Sequence, residues 1–61
     1  MKYVEITEQA FKLLLGDKGV REIVELEHAR KCHYFNNGVR LLTINTFIDN
    51  IRQYYVADIN S

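Results

Sequence analysis

Asn36-Asn37-Gly38 limits the possible folds of this chain more than any other stretch. Asparagine and glycine tolerate the positive φ that two-residue hairpin turns demand, so a tight reversal is expected here. His33, Tyr34 and Phe35 lead into it, and residues 39–44 lead out, both runs rich in the ring-bearing or branched side chains that suit a pleated surface. Asn45 or Thr46 then offers a side-chain oxygen to the free amides of a new helix, and Phe47, Ile48, Ile51, Tyr54 and Tyr55 recur behind it at helical spacing. A narrow hairpin with a helix bracing its base is the layout of a wing, against which the rest of the chain would pack.

Length restricts the core. With 61 residues and one cysteine, the chain is expected to form a single domain over residues 1–61, without a disulfide and without a zinc ligand set. A domain of this size hides only about 60% of its unfolded surface, so stability must come from a compact cluster or from a partner. No run approaches the roughly 18 apolar residues of a membrane span, and the first residues lack the charged-then-apolar pattern of a signal peptide. A cytoplasmic protein with no membrane partner is the expectation. Lys plus Arg and Asp plus Glu are eight each, so a basic surface can arise only by segregation of charges.

Residues 2–6 alternate roughly, as an extended segment does, with Tyr3 and Ile6 as inward candidates. Thr7 reads as an N-cap, Glu8 favours the positive end of a helix dipole, and Ile6 with Phe11 forms a hydrophobic staple. The spacing predicts a first helix over residues 8–15, ended by Gly16. Residues 18–29 support two readings. Val20, Ile23, Val24 and Glu27 follow helical spacing, whereas Val24, Leu26 and His28 alternate like a strand; the length of the segment and a possible cap at Asp17 favour a helix. Two helices joined by a Gly-containing turn would form a helix-turn-helix. The expected fold is therefore α+β, a small winged helix-turn-helix: an N-terminal extended segment, two helices, a two-stranded wing and a closing C-terminal helix. Its expected core is Ala10, Leu14, Val20, Ile23, Val24, Tyr34, Leu41, Ile48 and Ile51. Tyr54, Tyr55, Val56 and Ile59 either close that core or present a partner surface.

The run Ile6-Thr7-Glu8-Gln9-Ala10, then Leu14-Leu15-Gly16, Val20-Arg21-Glu22-Ile23, Asn37-Gly38-Val39-Arg40-Leu41 and Ile48-Asp49-Asn50-Ile51, resembles the excisionases of phages and conjugative transposons. These share the winged-helix unit of the mercury-resistance regulators. The resemblance covers about residues 3–53. It implies a recombination directionality factor that binds and bends repeated attachment-site sequences in double-stranded DNA and promotes integrase-mediated excision of a mobile element. A tyrosine integrase and adjacent copies of the chain would be its partners. By position, a helix beginning near Lys18 would enter the major groove while Asn36, Asn37 and Gly38 approach the backbone or minor groove.

The implied DNA-binding residues are Lys18, Gly19, Arg21, Glu22, Glu25, Arg30, Lys31, Asn36, Asn37 and Arg40. Arg21 would read guanine through paired donors; Lys18, Arg30, Lys31 and Arg40 would neutralise phosphates. The acidic Glu22, Glu25 and Glu27 oppose that use unless they point away or accept from cytosine. Reading duplex DNA in this way requires residues 18–29 to be helical. The alternative is a small phage-type transcriptional regulator, or an inhibitor or antirepressor that binds protein. Charge placement separates the two: Lys18, Arg21, Arg30, Lys31 and Arg40 on one face favour DNA, and a face dominated by Glu22 and Glu25 favours protein.

Catalysis is not expected, since no phosphate loop or paired acid and base is evident, and no cofactor is implied. His28, Cys32 and His33 suggest a metal, but a third or fourth ligand is not obvious and a small, buried Cys32 is the simpler reading. As strand neighbours, Cys32 and His33 would point to opposite faces and form no nucleophile–base pair.

Overall fold

A computed structural model describes residues 2–58. They form one helix and a five-stranded sheet, in the order β1 Lys2–Ile6, α1 Glu8–Leu15, β2 Glu22–Glu25, β3 Ala29–Asn36, β4 Val39–Thr46 and β5 Ile51–Asp58. The sheet runs β1-β5-β4-β3-β2, antiparallel throughout. Strands β2 to β5 follow one another as a meander, and β1 closes the far side against β5. Since β1 and β2 are opposite edges, α1 and the loop after it carry the chain across one face.

The helix forms as its signals predict. Thr7 is the N-cap, with the Ala10 N–H donating to Thr7 Oγ1 at 3.1 Å, and Gly16 ends the helix at φ 65° while its N–H donates to the Lys12 carbonyl at 3.0 Å. The hairpin turn is also where the sequence places it. Asn37 and Gly38 both take positive φ, 52° and 82°, the combination whose twist matches two antiparallel strands.

The helix docks through Phe11, which is 5% exposed. Its ring meets Tyr34 edge-on at 5.3 Å between centroids, and Tyr54 at 5.0 Å with a 51° tilt. Both partners are favourable ring geometries for a small core. Leu41, wholly buried on the helix side of β4 with Tyr34 and Val56 as its cross-strand neighbours, completes the cluster. Strand register therefore assigns Tyr34, Leu41, Tyr54 and Val56 to the helix-covered face, and their alternating neighbours to the other.

Two expected helices are strands, so the winged helix-turn-helix is not the fold. Residues 18–29 comprise a loop, the four residues of β2 and a turn; Ile23 pairs with Cys32 and Val24 with Lys31. Length favoured a helix only while the segment was taken as one element. Divided, its branched residues occupy an edge strand whose hydrogen bonds come from β3. The closing helix is likewise absent. Asn45 and Thr46 end β4 instead of capping a helix, Asn50 turns the chain at φ 52°, and Ile51–Asp58 is a strand paired on both sides. The helical spacing of Ile48, Ile51 and Tyr55 was outweighed by two rows of non-local hydrogen bonds.

The core is correspondingly different. Leu41 is buried and Ala10, Val24 and Tyr34 are half-buried, but Leu14, Val20, Ile23, Ile48 and Ile51 are exposed. Phe11, Leu42 and Thr43 are buried beside Leu41. Tyr3 and Ile6 are both half-buried, on opposite faces; Tyr54, Tyr55 and Val56 are half-buried in β5, and Ile59 lies outside the described residues. No described helix is long and apolar enough to cross a membrane.

Candidate nucleic-acid interface

The face away from α1 is organised in cross-strand rows. Glu22, His33, Leu42, Tyr55 and Glu5 form one, running from edge to edge. Val24, Lys31, Ile44 and Gln53 form the next towards the β2–β3 turn; Phe35 with Arg40, and Ala57 with Tyr3, lie on the other side. Among the described residues no element packs over these rows.

This face is concave. Tyr3 of β1 and Glu22 of β2, in opposite edge strands, line the same depression of about 520 Å³, together with Arg21, His33, Phe35 and Arg40. Curling of the sheet explains why Leu42, in the middle of an uncovered face, is only 7% exposed. Arg21 reaches the same depression as Glu22 because its own N–H donates to the carbonyl of His33, the residue already opposite Glu22, at 2.8 Å, a bulge-like step out of the β2–β3 register instead of its continuation. Phe35, 45% exposed, stands opposite Arg40 on the neighbouring strand.

Charge on this face is sorted by strand. The three central strands contribute Lys31 and Arg40 and no carboxylate; the acids, Glu5 and Glu22, belong to the two edge strands. Arg30 and Glu25 face the helix side, where Arg30 Nε donates to Glu25 Oε1 at 2.7 Å and its guanidinium lies 6.0 Å from the centre of the Phe47 ring.

The residues singled out by sequence divide accordingly. Arg21, Glu22 and Arg40 are brought together in the depression, and Lys31 shares the concave face. Lys18 and Gly19 sit in the exposed loop after α1. Glu25 and Arg30 are paired on the opposite face. Asn36 is turned inward, its Nδ2 donating to the carbonyls of Leu14 and Leu15, which leaves Asn37 and Gly38 at the hairpin tip. Of the five cations that were to share a face, Arg21, Lys31 and Arg40 do so; Glu22 accompanies them and Glu25 does not. Cys32 faces the helix side and His33 the concave side, so they form no pair, and His28 lies in the β2–β3 turn.

Tyr3, His33, Phe35 and Tyr55 are the residues that sequence reading did not place here. Lys31, His33 and Phe35 alternate along one strand, which was the available signal. Their meeting with Tyr3 depends on the curl of the sheet. Comparison with protein-family models, with curated proteins and with solved structures finds no match.

Proposed function

We propose that this chain is a single-stranded nucleic-acid-binding module that works through the concave face of its sheet. The observation that carries the reading is the placement of Lys31 and Arg40 beside Phe35, His33 and Tyr55 on three central strands that present no carboxylate there. Rings on a sheet accept unstacked bases, each worth about 1–3 kcal/mol, and flanking cations hold the phosphates between them. Sequence preference would be modest, because every base offers a face to stack.

The same surface does not suit a duplex. Reading base edges requires a helix or a two-stranded ribbon projecting into a major groove about 12 Å wide, whereas this face curls inward. With β2 in place of a second helix, Arg21 loses the projecting position from which it was to read guanine. Attachment-site binding beside an integrase, which the excisionase resemblance implies, would have to use the exposed hairpin tip instead.

Anisotropy titrations of a labelled single-stranded DNA decamer, its RNA counterpart and the corresponding duplex test the proposal. Binding of the single strands in preference to the duplex supports it. Preference for the duplex returns the chain to the excisionase reading, and binding to none of them leaves the protein-binding alternative.

A further inference from the structure

We infer that the depression at the Tyr3 end of the concave face is a subsite for a terminal phosphate, the phosphorylated end of a strand or a mononucleotide. This rests on the nucleic-acid reading above and makes it specific. Arg21 and Arg40 line one depression in which, among the described residues, Glu22 is the only carboxylate of the walls. Arginine presents a planar fork of donors that matches phosphate oxygens two at a time, and two forks suit a group with more charge than an internal phosphodiester. A terminal phosphate monoester carries about −1.5 to −2 at neutral pH.

The remaining walls suit what is attached to that phosphate. Phe35 stands directly opposite Arg40, and Tyr3 borders the same space, so two ring-bearing residues share the depression with the two arginines. The volume, about 520 Å³, falls within the range of small-ligand sites, roughly 300–1,000 Å³. Its place also fits an end. The depression lies at the side of the face nearer the Asn37–Gly38 turn, with Leu42, Tyr55 and Lys31 continuing away from it across the sheet. A strand anchored here by its terminus would run over those residues.

The test uses decamers of one sequence bearing a 5′-phosphate, a 3′-phosphate or no phosphate, together with thymidine monophosphate, thymidine and inorganic phosphate. One phosphorylated decamer is expected to bind about tenfold more tightly than the unphosphorylated one, and the end that does so identifies the source. Arg21→Gln and Arg40→Gln should each collapse that ratio towards one, with Arg40→Lys retaining part of it, all in proteins shown by circular dichroism to keep the sheet. Equal binding of the three decamers overturns the subsite while leaving single-strand binding in place. If no decamer binds, the broader reading fails, and the mononucleotide decides the subsite. Thymidine monophosphate bound more tightly than thymidine and inorganic phosphate keeps it, and no such difference ends it.

Discussion

Tyr3 and Glu22 belong to the two outermost strands of a five-stranded sheet, yet they border the same depression. The curl that brings them together buries Leu42 without help from the helix. Two buried leucines therefore stand back to back on β4: Leu41 on the helix side, and Leu42, 7% exposed, on the other.

Leu42→Ala is expected to destabilise the chain by about 2–5 kcal/mol, since truncating a side chain only 7% exposed leaves a cavity. Leu13→Ala, at a position 85% exposed, should stay within about 0.5 kcal/mol of the parent. Urea unfolding of the two variants measures both. Similar costs at the two positions would mean that the concave face is not packed.

Asn36 clamps the end of the helix to the hairpin. Its Nδ2 donates to Leu14 O at 2.9 Å and Leu15 O at 3.1 Å, satisfying carbonyls that a helix terminus leaves free. Asn36→Ala should cost about 1 kcal/mol. Asn36→Asp should cost more despite its closer shape, because it sets a carboxylate against two carbonyl oxygens at the negative end of the helix dipole. Thermal melts showing Asp better tolerated than Ala would contradict the clamp.

Stability should fall at both ends of the pH scale through one hydrogen bond, Tyr54 Oη to Glu8 Oε2 at 2.7 Å. The Tyr54 hydroxyl, and then the Lys12 charge, hold the Glu8 carboxyl below its ordinary 4.5; Glu8 in turn, with some burial, raises the Tyr54 phenol above its ordinary 10.0. The Glu8 contribution is present above 4.5 and is lost as pH falls through the lowered folded value; the Tyr54 contribution is present below 10.0 and is lost as pH rises through the raised one. Tyr54→Phe should reduce both dependences. Urea midpoints across pH that are unaltered by this substitution would exclude the pair as their source.

Much of the fold was legible locally. Thr7, Glu8 and Gly16 delimit the helix, and Asn37-Gly38 sets the hairpin, because caps and turns depend on residues next to one another. Residues 18–29 and 47–55 were not, because their state is decided by distant partners. Edge strand β2 takes its hydrogen bonds from β3, and β5 is held between β4 and the N-terminal β1. The site follows the same division. Arg21, Glu22 and Arg40 stand out as charges in the sequence, but the rings that join them come from β1 (Tyr3) and from β3, three strands away in the sheet order (His33 and Phe35), and meet only through its curvature.

Stacking and charge should separate in the binding data. If Arg21, Lys31 and Arg40 each neutralise one phosphate, log affinity for a single strand should fall with log salt at a slope of about −2, and Arg40→Ala should lessen the slope by about 0.7. Phe35→Ala should instead weaken binding by about 1–3 kcal/mol at every salt concentration, with the slope retained. A Phe35→Ala protein that binds as tightly as the parent would remove stacking from the account.

The central claim is that the concave face, and not the helix side or the hairpin tip, is the binding surface. Amide chemical-shift mapping of the isotope-labelled chain during titration with a single-stranded decamer tests it most directly. The predicted result is an alternating pattern, with large changes at Lys31, His33, Phe35, Arg40, Leu42 and Tyr55 and small ones at Phe11, Lys12 and Leu13 of the helix. Changes concentrated on α1 or confined to Asn37 and Gly38, or no change at saturating decamer, would contradict it.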